Sequence, residues 1–429
     1  MKQQLQIPNK HFTGILFLLL AITGTASSLL LKDQLAALPY QFGKETIGLF
    51  IPPFFTAVFL YIAGSREQFS GTILFLSLLL YIIQLLPFGS LLFEIIQPNP
   101  KEDFERYVQY AQNMIQNNTL WGGDQIRYPH LSKAYITQPG YRYFVALELL
   151  VFQELYRFVS VFNIGLFLVA VFYLFKFIDQ QSVPKHLRQL ISLLVLLTIP
   201  YATKNILMGL TEWLVIVLLI TCLYLHYTKS KWLPAVIILA FIPFIRQNLL
   251  PPVFVMLFLF FFSRKENLKA YLLFTFILLL PVYHNLYYAG EFRFFTSIFK
   301  WPFMKYAPSS AAAFDFFKPF NNLLHYAGFD ISKKIDFMEE SVLFLLLFTG
   351  LYFFLGRFLL SGKLRLLYFA ITGITVLLPS VLLATDFYPR FEFVNTYFVL
   401  AIFIILHRVQ AQQETDELLH QLYLKKRGK

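Results

Sequence analysis

The chain has 429 residues, of which 57% are hydrophobic and only 14% charged; it carries 51 Phe and 25 Tyr and has a mean hydropathy of +0.60. Soluble domains carry about a quarter charged residues, so the composition excludes a soluble globular enzyme and points to a polytopic membrane protein. The net charge of +12 reads as cytoplasmic anchoring and contact with membrane lipid of anionic headgroup, and no nucleic-acid partner is expected. One cysteine, Cys222, in an apolar run excludes both a disulfide framework and a cysteine-built metal site.

Apolar runs bounded by charges or prolines predict helices near 12–31, 46–63, 70–97, 157–176, 189–203, 207–227, 232–246, 249–263, 269–287, 341–357, 366–385 and 392–407. The expected fold class is therefore all-α, with about twelve transmembrane helices, several shorter than the roughly twenty residues of an untilted span. The first run, Phe12 to Leu31, is too long for a signal-peptide core and is read as a retained span.

Placing the N-terminus inside puts nineteen basic residues in short inside segments and only five outside, namely Lys32, Lys44, Lys204, Arg246 and Arg390. The positive-inside rule counts short loops, so both termini are expected in the cytoplasm; a bacterial inner membrane is the expected location, on the lack of a retention signal and on the family resemblance given below. The organisation that follows is three spans in 1–97, an outside loop at 98–156, central spans in 157–287 and a second outside loop at 288–340. Three more spans fill 341–407, and a basic cytoplasmic tail occupies 408–429. Long loops in a compact membrane protein are usually functional, which directs the search to the two outside loops.

In the first loop Pro98-Asn99-Pro100 stops the preceding span. Apolar residues at Phe104, Tyr107, Val108, Ala111, Met114 and Ile115 then recur at offsets of three and four, one face of an amphipathic helix over 102–117. Glu102 and Asp103 begin it, as acids that complement a helix dipole or as catalytic carboxylates. After Gln138-Pro139-Gly140 comes a second apolar stretch, Tyr143 to Phe152. Asn117-Asn118-Thr119 has the form of a glycosylation sequon and is read as a chance match. The Phe258 to Phe262 run is read as lipid-facing surface.

Asp103-x-x-x-Tyr107-x-x-x-Ala111, the Pro-Gly segment, Arg157-x-x-Ser160 and Thr211-Glu212 follow one another along the chain. Arg246-Gln247-Asn248, Pro281-x-x-x-Asn285 and Asp386-Phe387-Tyr388-Pro389-Arg390-Phe391 complete the series. In this order the set resembles the C-type membrane glycosyltransferases, in particular their protein-mannosyltransferase-like and bacterial lipid-A-sugar-transferase-like branch, from about Pro98 onward. Many relatives carry an Asp-Glu pair where this chain has Glu102-Asp103-Phe104, so either Asp103 alone or both acids form the expected base. The resemblance implies inverting transfer of a sugar from a polyprenyl-phosphate donor to a hydroxyl of a glycan, lipid or protein acceptor on the outer face.

Such chemistry needs a carboxylate within hydrogen-bond reach of the attacking hydroxyl, for which Asp103 is the candidate, and cations for the leaving phosphate. Arg246 and Arg390 fit because a guanidinium forks onto phosphate oxygens, with a snorkelling anchor as the alternative for each. Lys204 is a third cation or a helix cap, and Glu212 reads as the structural partner of a cation such as Lys204. Tyr107, Tyr141 and Arg142 are expected on the acceptor side or within the loop. Phosphate already leaves well, so no cofactor is expected and a divalent metal, with Asp124 as a conceivable ligand, is not favoured. A polysaccharide polymerase or ligase working from the second loop, with Arg293 and His325, is the alternative function. A transporter of lipid-linked glycan is the other, although it would place ionisable groups at the membrane midplane.

Overall fold

The computed structural model describes residues 103–120, 139–152, 156–180, 209–246, 249–263, 268–289, 355–383 and 389–427. Arg188, Ile191, Val195, Thr198, Ala202, Asn205 and Ile206 are described as well. The runs expected at 12–31, 46–63 and 70–97, and most of 189–203, 288–340 and 341–357, lie outside the described residues. The chain divides into two compact units, Met1–Gln97 with Val183–Leu207, and Pro98–Ser182 with Met208–Lys429. Of the first, six described residues from Ile191 to Ile206 are buried at offsets of three and four, one face of a helix.

The second unit is built from α1 (Asp103–Gln116), α2 (Pro139–Phe152), α3 (Tyr156–Gln180), α4 (Glu212–Leu223), α5 (Trp232–Ile245) and α6 (Leu250–Ser263). It continues with α7 (Leu268–Leu278), α8 (Leu280–Ala289), α9 (Gly362–Leu383) and α10 (Pro389–Arg427). Among the described residues there is no strand. Three helical stretches, Val161–Gln180, Tyr271–Tyr288 and Phe393–Gln421, are long and apolar enough to cross a membrane. The apolar helices from Glu212 to Thr228, Trp232 to Ile245 and Leu250 to Phe261 are shorter.

A helix that is apolar all round belongs in the interior, and α4 and the part of α10 from Phe393 to Leu406 come close to that condition. Nine of the twelve α4 residues are buried, every residue of α10 from Phe393 to Leu406 is buried, and the two helices pack together. Around them α3 and α5 lie on α4, while α6 and α9 lie on α10. The outer helices keep apolar faces exposed: Phe254, Phe258 and Phe261 on α6 point away while Val253, Met256 and Phe260 point inward. The aromatic run on α6 is thus divided between lipid-type surface and core.

Three hydroxyls within this apolar bundle bond back to their own helix. Thr372 and Thr375 donate to the carbonyls of Tyr368 and Ile371, each at 2.6 Å, and Thr221 donates to Val217 at 2.7 Å. Bonding back one turn satisfies the hydroxyl without a partner helix.

The structure differs from the sequence expectation in three boundaries. The second loop helix starts at Pro139 rather than Tyr143, because proline is pre-organised for a first turn and lacks the N–H that would go unpaired there. The run 269–287 is interrupted at Leu279, since Pro281 cannot donate to the carbonyl a turn before it. The last span and the tail form one continuous helix of 39 residues, as no proline or glycine falls between Arg390 and Arg427 to stop it.

The sequon-like Asn117-Asn118-Thr119 has a conformational role. Asn118 takes a left-handed φ of 50°, and the Thr119 N–H donates to the Met114 carbonyl at 3.1 Å while Asn118 N–H reaches Ile115 at 3.4 Å. This pair of bonds closes the end of α1.

Gly140 is where α2 meets the end of α5. A Cβ there would stand 2.8 Å from the Phe244 carbonyl oxygen and 2.7 Å from its ring, whereas one at Gly165 on α3 would meet nothing within 4 Å. Gly140→Ala is expected to destabilise the detergent-solubilised protein by about 1–3 kcal/mol through overpacking. Gly165→Ala should be neutral or stabilising by about 0.5–1 kcal/mol; thermal melts of the two variants beside wild type check the pair.

Candidate functional site

Ionisable side chains gather where α1 and α2 join the end of the bundle formed by the start of α4 and the end of α5. Apolar spacing puts Tyr107, Val108, Ala111 and Met114 on the buried face of α1, joined by Tyr110, and α1 packs on α2 through that face. Two contacts clasp the helices. The Tyr107 ring meets Tyr141 edge-on with centroids 4.9 Å apart, and the Arg142 guanidinium lies 4.1 Å over the ring of Tyr110. Arg142 is only 1% exposed, so this cation–aromatic contact works without competition from bulk water.

Arg246 follows the last turn of α5, and Glu212 opens α4. Arg246 Nη2 is 3.0 Å from Glu212 Oε1, and Nη1 donates to Thr211 Oγ1 at 3.0 Å. The Thr211 hydroxyl donates in turn to Glu212 Oε2 at 3.3 Å, closing a three-residue ring. Thr211 occupies the N-cap position of α4 yet makes no side-chain cap bond, because its oxygen serves the guanidinium. Glu212 in the first turn also complements the α4 dipole. Arg246 is 8% exposed and Glu212 fully buried, so Arg246 is turned into the protein and is not a snorkelling anchor. Among the described residues, Arg246 is a cation paired with Glu212.

A second acid, which the motifs did not single out, acts on Tyr141 as Glu212 does. Glu148 is buried on α2 and accepts a hydrogen bond from Asn163 of α3. Its Oε1 finds no hydrogen-bond partner among the described residues. Burial pushes the Glu148 carboxyl up to about 7, against the opposing pull of the Asn163 amide. Burial, with the Glu148 charge behind it, also raises the Tyr141 phenol well above its ordinary value, so that phenol stays neutral. The sequence signal for Glu148 was present, as the one acid within the apolar stretch Tyr143 to Phe152.

Tyr143 extends the cluster to α8. Its ring lies 5.8 Å from Phe244 and 5.9 Å from His284, which is itself 3.4 Å (Nδ1 to Oδ1) from Asn285. Trp213, fully buried, meets Phe144 edge-on at 5.8 Å. Four sequence motifs separated by as many as 145 residues therefore converge: Pro139-Gly140 with Tyr141 and Arg142, Thr211-Glu212, Arg246, and Pro281 to Asn285.

Other candidates are only partly placed. Asp103 is the first residue of α1 and Arg390 the second of α10, but their side chains, together with Glu102, Lys204 and Asp124, lie outside the described residues. Among the described residues no three His, Cys, Asp or Glu side chains come together to hold a metal ion.

No family model, curated protein or solved structure matches this chain.

Two outcomes are expected at this cluster. Arg246→Met or Glu212→Leu alone strands a buried charge and should cost about 3–5 kcal/mol, whereas the double substitution should cost less than either; a double-mutant cycle of thermal stability measures this. A carboxyl whose pKa rises from 4.5 to about 7 on folding binds its proton more tightly in the folded state. Stability is therefore lost as pH rises from about 4.5 to about 7 and is level above that. Glu148→Gln should flatten this slope and raise stability at pH 8 by at most roughly 3 kcal/mol, which melts across pH 4.5–8 would register.

Proposed function

We propose that the chain is a membrane glycosyltransferase of about twelve spans that moves a sugar, with inversion, from a polyprenyl-phosphate carrier to an acceptor hydroxyl on the outer face. The carrying observation is the convergence of α1, headed by Asp103, with the buried Glu212–Arg246 end of the bundle through α2. Loop helices that form a roof over a charged bundle end suit a substrate that arrives along the bilayer with a phosphate at membrane depth. In this reading Asp103, alone or with Glu102, accepts the proton of the attacking hydroxyl. Arg246, with Arg390 and Lys204, counters the charge that grows on the leaving phosphate.

The ring around Arg246 adds a condition. Glu212 neutralises the guanidinium and fixes its plane, so a donor phosphate is received by an oriented fork whose charge is already shared. Tyr107, Tyr141 and Arg142 act in this reading by holding α1, and through it Asp103, against the bundle. No metal is required. The placement of both termini in the cytoplasm is supported by the nineteen-to-five distribution of basic residues, and the bacterial inner membrane by the resemblance to the bacterial branch.

The test compares glycolipids and surface glycans, by mass spectrometry, in cells lacking the chain and in cells re-expressing wild type or Asp103→Asn. The expected result is one hexose- or pentose-sized mass that disappears on deletion, returns with wild type and fails to return with a folded Asp103→Asn protein. Full rescue by Asp103→Asn would overturn the base. Because Arg246→Ala also strands Glu212, Arg246→Lys, which keeps the pair but loses the fork, is the variant that reports on the phosphate.

A further inference from the structure

The opposite end of the bundle, where α4 closes and α5 begins, has a different chemistry. There α4 runs into a π-helical turn, Tyr224–Thr228, sealed by the Lys229 N–H on the Tyr224 carbonyl at 3.2 Å. Such turns recur at functional sites. Three cations from three neighbouring elements lie on aromatic faces at this end: Lys176 4.7 Å over Phe172, Lys229 5.8 Å over Tyr224, and Arg408 5.2 Å over Tyr227. The rings are themselves connected, since Tyr224 stacks on Tyr173 at 4.4 Å and Tyr227 lies 5.6 Å from Phe177.

The cations differ in exposure. Lys176 and Lys229 are exposed, whereas Arg408 is half-buried, and its Nη1, the Nδ1 of neighbouring His407 and Thr228 Oγ1 are buried without a hydrogen-bond partner among the described residues. A buried guanidinium nitrogen left without an acceptor is costly. The acids described at this end, Asp179 and Glu414, are exposed, and Glu414 accepts from Gln410 at 3.1 Å. Arg408 stands just past the last buried apolar residue of α10, Leu406, at the depth where a span passes from hydrocarbon to headgroups.

We propose that this aromatic-backed belt of Arg408, Lys229 and Lys176 binds the phosphate of an anionic phospholipid headgroup. Arg408 Nη1 supplies the buried donor, and the two lysines supply surrounding charge. Basic clefts between helices at the headgroup level recognise such lipids. A guanidinium held on a ring keeps its edge turned toward the phosphate. The chemistry is independent of the transferase reading, because it uses the other end of the bundle and none of the residues assigned to transfer.

The test uses the full chain in detergent and native mass spectrometry, with phosphatidylglycerol, phosphatidylcholine or inorganic phosphate added at equal concentration. Phosphatidylglycerol should be retained and should raise the melting temperature, while phosphatidylcholine and free phosphate should do neither. Arg408→Gln should reduce retained phosphatidylglycerol about fivefold or more, the size expected for one interfacial cation. Arg408→Lys should keep most of it, and the exposed pair Lys176→Gln with Lys229→Gln, which leaves the core untouched, should reduce it further. Equal retention of phosphatidylcholine, full retention by Arg408→Gln in a protein of unchanged lipid-free stability, or an equal effect of inorganic phosphate would overturn the proposal. The last result would mark an anion site that does not recognise lipid.

Discussion

A guanidinium buried in an apolar helical bundle needs a partner for its charge, and Arg246 has a carboxylate. Its pairing with Glu212 and Thr211 fixes the end of α5 to the start of α4, the helix around which α3, α5 and α10 pack. Two residues before Arg246, the Phe244 backbone approaches α2 so closely that only Gly140 fits opposite. The first loop helix is carried in turn by α2, through one aromatic pair and one cation over a ring. Neutralising one buried charge thus fixes a framework that extends out to Asp103.

The same pairing gives the proposed site its character. A fully buried Glu212 beside Arg246, a Glu148 that burial holds near neutrality and a raised Tyr141 phenol make an end of the bundle rich in ionisable groups but low in net charge. A preorganised, low-dielectric environment of this kind responds strongly to charge that develops during a reaction. At the other end Lys176, Lys229 and Arg408 rest on aromatic faces. The contrast follows the sequence-level excess of lysine and arginine in the short segments there, and it is the asymmetry that orients helices in a bilayer.

Some elements were legible because their signal is local. The offsets of Tyr107, Val108, Ala111 and Met114 specify the buried face of α1 without reference to any partner, and the runs at 157–176, 232–246 and 249–263 correspond to α3, α5 and α6 within a few residues. Others were not. A proline can end one helix or open the next, so Pro139 and Pro281 each act in a way that only their neighbours decide. Whether the tail at 408–429 continued the last span depended on one unbroken hydrogen-bond ladder, which composition does not reveal.

Composition and period alone determined, for the described residues, a helical protein with helices apolar enough to cross a membrane and an amphipathic helix at Asp103–Gln116, because hydrophobic burial and the 3.6-residue repeat are written in the order of residues. The tertiary structure decided who pairs with whom. The sequence points to a cationic partner for Glu212 such as Lys204, which lies outside the described residues; the structure pairs Glu212 with Arg246, which lies 34 positions away and becomes its neighbour only because α4 and α5 run antiparallel. Nothing in the spacing of the stretch Tyr143 to Phe152 pairs Glu148 with Asn163 or Tyr141, which the fold brings against it. Charge partners are set by the distances that packing creates, and those distances are not encoded in the spacing along the chain.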